Sequence, residues 1–144
     1  MADRATEAND YMKKKMFFVP RMFQVLNTVA PETGERFADF YATVWQDGAL
    51  PRKVKELMFT AIGVSYCSPR CIIHVIPAIE AGATDGEIFE AVTVGTLAGG
   101  FVPGGPGIPY AFEYALKVLD IAAKYRKGEK WEYLPPPKFD HGVF

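Results

Sequence analysis

The sequence predicts an all-α fold, and three observations carry that expectation. Apolar residues recur at helical spacing over most of the chain, no segment alternates like a strand, and helix start and stop signals separate the periodic runs. Phe37, Phe40, Tyr41, Val44 and Trp45 fall at i, i+3, i+4, i+7 and i+8, the inward stripe expected of a helix over residues 31–46. Asp47-Gly48 ends that run. Val54, Leu57, Met58, Ala61 and Ile62 repeat the spacing, on a helix that Pro51 would open from its first turn.

A third helix is expected to begin near Ser68-Pro69 and to stop at Gly82. Thr84 and Glu87 have the spacing of a capping box, in which the hydroxyl and the carboxylate each take an orphan N–H. The helix it starts, residues 88–98, is apolar on most faces and should lie deep. Residues 99–107 read as a glycine-rich loop, and a last helix over 109–125 should turn Ala111, Tyr114, Ala115, Val118, Ala122 and Tyr125 inward. One or two shorter helices are expected around residues 11–18 and 21–29. From residue 128 a tail with Trp131, Tyr133, three consecutive prolines and Phe139 reads as extended and packed on some apolar surface. The expected organisation is one domain over 1–144: N-terminal helices in 1–30, a core in 31–127 and the tail in 128–144.

Composition narrows the function classes. The chain has 144 residues, 49% of them hydrophobic, and 16 basic against 17 acidic side chains. A near-neutral chain this apolar can bury a core, which argues against disorder. It lacks the basic field that nucleic acid or an anionic membrane would require. Lys13-Lys14-Lys15 reads as a solvated helix face, and His141 as a tail residue in solvent or at a subunit contact. Residues 91–112 carry no charge over 22 positions, but six glycines and three prolines within them argue against a membrane helix. The polar start, Met1 to Glu7, is unlike a presequence, so a cytoplasmic protein is expected. No cofactor is expected: the 99–107 loop lacks a Lys-Ser/Thr ending and follows no strand, so it is not a phosphate loop.

Chemistry concentrates at Cys67-Ser68-Pro69-Arg70-Cys71-Ile72-Ile73-His74. If Ser68 caps a helix there, Cys71 sits in its first turn, where unpaired N–H groups and Arg70 would favour a thiolate. His74 comes one turn later, as a proton donor or acceptor. Residues four apart on a helix hold their Cβ atoms about 5–6 Å apart, against about 3.5–4.5 Å for a disulfide. A Cys67–Cys71 bond therefore requires an irregular turn between them. Two other readings stand beside this one. Both cysteines could be inert filling in a helix rich in Ile72, Ile73, Val75 and Ile76. Alternatively Cys67, Cys71 and His74 could bind a metal with Glu56 or water as the fourth ligand, although no second Cys/His pair stands at the usual spacing. Glu56 itself, with Arg52 and Lys53 before it, reads from its neighbours alone as a solvated helix charge.

Taken in order, Leu50 to Met58, then Cys67 to His74, then Glu80-Ala81-Gly82-Ala83-Thr84-Asp85-Gly86-Glu87-Ile88, then Gly104-Gly105-Pro106 before Tyr110 to Leu116, resemble the carboxymuconolactone decarboxylase and alkylhydroperoxidase AhpD-like family. The resemblance covers roughly residues 35–125. It implies an oligomeric helical subunit of about six helices, commonly a trimer or hexamer. In the thiol-active branch it implies a peroxidase or disulfide reductase. Glu56 and His74 would then relay protons, Cys71 would be the nucleophile and Cys67 the resolving thiol. The redox pattern is Cys-x-x-Cys with His four residues on. This chain has Cys-x-x-x-Cys with His three on, so alignment on His74 and alignment on Glu56 match different cysteines. Two alternatives stand: a lyase acting on a small carboxylated lactone with His74 as its acid, or a non-enzymatic oligomeric binding protein.

Overall fold

In the computed structural model, residues 3–133 are described. Among them are seven α-helices, one 3₁₀ turn and no strand: α1 Arg4–Met16, α2 Arg21–Val29, α3 Pro31–Val44, α4 Arg52–Ser65, α5 Val75–Glu80, α6 Asp85–Ala98 and α7 Ile108–Arg126. The all-α expectation holds. The chain divides between Gln46 and Asp47 into two compact units, α1–α3 and α4–α7. Residues 134–144, with Pro135 to Pro137, Phe139 and His141 of the expected tail, lie outside the described residues.

In the first unit, Asp3 caps α1 by accepting from the Thr6 N–H at 2.8 Å, and Lys13 to Lys15 complement the dipole at its last turn. Met12, Met16, Phe23 and Ala38 form its core, with Phe37 stacked on Phe23 at 4.6 Å between ring centroids. Asn27 is fully buried and donates to Asn9 Oδ1 at 2.8 Å. Part of the α3 stripe is corrected: Phe40 and Val44 are exposed, while Ala38 and Trp45 are buried. The helix meets its neighbours across Gly34 and Ala38, small residues that an apolar count gives little weight.

In the second unit, α4 begins one residue later than expected. Pro51 stands before the helix in an extended conformation, and Asp47 Oδ1 accepts the Arg52 N–H at 2.7 Å. The expected apolar stripe of α4 is also corrected, because Met58 is 50% and Ile62 46% exposed. The face that is buried instead carries Glu56, Thr60, Gly63 and Val64. Gly63 and Gly95 explain the rotation. A Cβ on Gly63 would lie 2.7 Å from Ile72 N, and one on Gly95 would lie 2.5 Å from the Ala61 carbonyl oxygen. Neighbouring backbone packs where those side chains would stand.

Helices α4 and α6 run side by side in the same direction, with Lys53 Nζ 2.8 Å from Glu87 near their starts and Ser65 Oγ donating to the Gly95 carbonyl at 3.0 Å near their ends. The capping box forms as read: Glu87 N–H donates to Thr84 Oγ1 at 3.2 Å and Thr84 N–H to Glu87 Oε2 at 2.8 Å. Lys53, the Thr84 N–H and the Thr84 hydroxyl hold the Glu87 carboxyl below its ordinary range. α6 does not lie as deep as its composition suggested: Ile88, Val92 and Gly95 are buried, whereas Phe89, Val94 and Leu97 are exposed. α7 turns Ala111, Ala115, Val118, Ile121 and Ala122 inward, and leaves Tyr114 and Tyr125 half-buried. Burial and the neighbouring Glu80 push the Tyr125 phenol up to about 12. Arg126 Nε donates to Asp85 Oδ1 at 2.7 Å, tying the end of α7 to the start of α6. Among the described residues, no helix is long and apolar enough to cross a membrane.

Candidate functional site

Helix α4 places Glu56, Thr60 and Gly63 at i, i+4 and i+7, on one buried face. The Thr60 hydroxyl donates back to the Glu56 carbonyl at 2.8 Å, so its polar group is satisfied within the helix. Glu56 is fully buried. A buried carboxylate is tolerated only with strong partners, and this one has two. His74 Nδ1 lies 2.5 Å from Oε2, and Arg52 Nε donates to Oε1 at 3.3 Å. The solvated charge read from its neighbours is therefore corrected: Arg52 turns to Glu56, while Lys53 turns to Glu87 instead.

His74 closes the 3₁₀ turn Ile72–His74, its N–H donating to the Cys71 carbonyl at 3.1 Å. The residue is 7% exposed, with the Phe59 ring against its imidazole at 4.3 Å between centroids. Because a carboxylate can only accept, Nδ1 carries the hydrogen that points at Glu56. In the neutral imidazole Nε2 is then the basic nitrogen.

The cysteine turn departs from its expected form. Ser68 does accept the Cys71 N–H, at 3.3 Å on its hydroxyl and 3.1 Å on its carbonyl. From there the chain makes a turn and then the 3₁₀ segment, and α-helix begins only at Val75. The expected helix from Ser68-Pro69 is thus corrected, and with it the placement of Cys71 in a first helical turn. The Cys71 N–H is already bonded, so this position lacks the unpaired helix-end donors that were expected to favour a thiolate. Arg70 is exposed.

Cys67 and Cys71 are both free and half-buried. Cys67 has φ +52°. Its N–H donates to the Val64 carbonyl at 3.2 Å, and the Ser68 N–H to the Gly63 carbonyl at 2.8 Å. Those two bonds are a Schellman motif ending α4, with Cys67 in the left-handed position that glycine usually fills. Burial pushes the Cys67 thiol up, while the Lys117 ammonium on α7 pulls the other way. Cys71 is brought against α4 at Gly63, where an added Cβ would stand 2.8 Å from the Cys71 Cβ.

Of the four expected site residues, Glu56 and His74 meet directly. Cys71 joins them through the backbone of the His74 turn, and Cys67 stands at the end of the helix that carries Glu56. Sequence reasoning missed Thr60 and Gly63, and it placed Arg52 in solvent. A glycine inside a helical run, and a threonine four residues past a glutamate, were the available signals. Among the described residues, no group of three or more His, Cys, Asp or Glu side chains is placed to hold a metal ion, the considered set of Cys67, Cys71, His74 and Glu56 included.

Residues 31–117 match the carboxymuconolactone decarboxylase family. An uncharacterized protein of Cupriavidus necator is 30% identical over 101 residues, spanning 69% of this chain and 86% of that protein. The fold is similar to the crystal structure of a Burkholderia xenovorans LB400 protein named as a candidate carboxymuconolactone decarboxylase. The TM-score is 0.59 at 20% identity, covering 89% of this chain and 98% of that one. That likeness speaks for the fold alone. On the extent of the family match, which takes in α4, the cysteine turn and the capped start of α6, the chain belongs to the carboxymuconolactone decarboxylase family.

Proposed function

We propose that this protein is a thiol-dependent reductase of peroxides or disulfides, with Cys71 as nucleophile, Cys67 as resolving thiol, and His74 and Glu56 as the proton relay. The observation that carries the reading is the buried Glu56–His74 pair at 2.5 Å, set in the turn that also carries Cys71. A carboxylate that orients an imidazole leaves its far nitrogen to take a proton and return it. Here that nitrogen takes the Cys71 thiol proton. The thiolate attacks the terminal oxygen of a hydroperoxide, an S–O bond forms as the O–O bond breaks, and the leaving alkoxide takes the proton back. The Cys67 sulfur then attacks the Cys71 sulfenic acid, releasing water and forming the disulfide. An external dithiol returns both cysteines to thiols and supplies the two electrons that the peroxide consumed.

The same reading carries a homo-oligomer, a trimer or hexamer. It is supported by Met58, Ile62, Phe89, Val94, Leu97 and Phe101, which are apolar and exposed on α4, on α6 and just beyond α6.

Reduction of tert-butyl hydroperoxide by the protein with dithiothreitol tests the reading. Cys71→Ser is expected to lower the rate about 100-fold with the circular dichroism spectrum unchanged. Full peroxide reduction by that variant would overturn the thiol mechanism, and would move the Glu56–His74 pair to a lyase in which it delivers a proton without sulfur.

A further inference from the structure

Arg52 occupies a position that helix electrostatics disfavour. It is the first residue of α4, where the dipole opposes a cation, and the first turn of α4 holds no acidic side chain. The other long helix of this unit with a charged first turn, α6, carries Asp85 and Glu87 there. Arg52 also precedes its glutamate by four residues, the weaker sense for an ion pair along a helix. Nor is this an exposed pair: Glu56 has no exposure and the Arg52 side chain 27%. The local rules therefore give no reason for an arginine here, and the contact it makes supplies one. Its Nε holds Oε1 of the carboxylate whose other oxygen, Oε2, receives His74 Nδ1.

We infer that Arg52 is a positioning residue: by holding Oε1 it fixes the Glu56 carboxylate in the orientation that presents Oε2 to Nδ1, and so locks His74 in the Nδ1–H tautomer with Nε2 as the basic nitrogen. This rests on the relay reading of Glu56 and His74. The chain of effect is steric and electrostatic. A carboxylate held at one oxygen only can rotate about its last bond, and a neutral imidazole released from a fixed acceptor returns to a mixture of tautomers. The guanidinium suits the task because its N–H donors are rigid, whereas a lysine ammonium would hold Oε1 as a point charge without fixing the carboxylate plane.

The test is ¹⁵N NMR of histidine-labelled protein, with the His74 signals assigned by comparison with His141→Gln. In the unsubstituted protein the His74 spectrum is expected to show one tautomer, protonated at Nδ1. Arg52→Met is expected to give a mixture with the Nε2–H form, to lower kcat about tenfold and to change KM less than twofold. Arg52→Lys is expected to fall between the two in both readouts. An Nε2–H tautomer in the unsubstituted protein overturns the inference whether or not any variant folds. So does an unchanged His74 tautomer in a folded Arg52→Met or Arg52→Lys protein. The NMR readout needs no turnover, so a protein that reduces no peroxide but shows the tautomer shift refutes the thiol mechanism and leaves the role of Arg52 standing.

Discussion

Helices α4 and α5 end with the same hydrogen bonds and with different residues. At the end of α5, Gly82 takes φ +93°, its N–H reaches the Ile79 carbonyl at 2.9 Å, and the Ala83 N–H reaches the Ala78 carbonyl at 2.9 Å. At the end of α4 the same pair of bonds is made around Cys67 at φ +52°. The end of α7 sides with α5, because Gly128 holds the left-handed position at φ +70°. A residue with a Cβ costs about 1–2 kcal/mol in that conformation. Burying the equivalent of one methylene returns about 0.8 kcal/mol, and the Cys67 side chain is only half-buried. Packing alone therefore does not offset the backbone strain. Two helix ends in the same unit use the residue the backbone prefers, and the third uses a thiol. Strain is kept at one of the three equivalent ends of this unit. Phe17 at the end of α1 also takes the left-handed region, at φ +68° and without a thiol, so exchanging the endings is what tests whether the sulfur is what the Cys67 position holds.

The largest effect expected from breaking this contrast comes from giving α4 the ending of α5. Cys67→Gly removes the strain together with the thiol, so urea unfolding is expected to show stability unchanged or raised by at most about 1 kcal/mol. Turnover of hydroperoxide is expected to fall about 100-fold, because the resolving step loses its intramolecular partner. After one equivalent of peroxide, dimedone is expected to trap a sulfenic acid at Cys71 in this variant, whereas the proposed mechanism predicts a Cys67–Cys71 disulfide in the parent protein. A variant that turns over as fast as its parent would make Cys67 a tolerated residue, and the difference between the two helix ends would carry no function.

The contrast also separates what the sequence made legible from what it hid. The Gly82 stop and the Thr84–Glu87 capping box were readable because each residue type does its usual local task. The α4 ending was hidden because a cysteine stands where the stop signal would be glycine, and the Cys67–Ser68–Pro69 run looked like the start of the next helix. α2 lies at Arg21–Val29 as periodicity indicated. The rotation of α4 was hidden for a different reason. Periodicity counts apolar side chains, and it turned Met58 and Ile62 inward. The buried face instead carries a glutamate whose partner, His74, lies 18 positions away in a 3₁₀ turn. A buried charge is legible only when its partners are known, and those partners are tertiary. His74 was named from the cysteine segment itself and its pairing with Glu56 in a relay came through the family resemblance, and only the structure brings the two into contact.

A smaller effect sharpens the comparison from inside the α4 ending. Gly63 supplies the carbonyl that receives the Ser68 N–H, and it lets the Cys71–Ile72 backbone approach α4. A Cβ there would meet Ile72 N at 2.7 Å and the Cys71 carbonyl carbon at 2.9 Å, backbone atoms that cannot move aside as a flexible side chain could. In an ordinary helix interior, Gly→Ala would stabilise by about 1 kcal/mol. Here Gly63→Ala is expected to destabilise by about 1–3 kcal/mol, read as a lower urea midpoint at constant slope. Because the displaced atoms belong to the Cys71 turn, alkylation of Cys71 by iodoacetamide should change in rate as well. A stabilised Gly63→Ala protein would mean that the two segments approach each other less closely than these distances require.

The smallest effect comes from the reverse exchange, in which α5 receives the ending of α4. Gly82→Cys places a thiol at φ +93°, and no heavy atom lies within 4 Å of the added Cβ beyond its chain neighbours. No steric collision accompanies the change, so its cost is that of the backbone alone. It is expected to lower stability by about 1 kcal/mol, the left-handed penalty less the unfolded-state entropy that glycine no longer contributes. Peroxide turnover should be unchanged, since a strained thiol without a relay has nothing to deprotonate it. The two exchanges then test one proposition from opposite sides. If Gly82→Cys costs nothing, the left-handed position tolerates cysteine in this unit, and the strain at Cys67 loses its meaning. If it costs about 1 kcal/mol, the same backbone penalty is present at α4, and the thiol stands there against it.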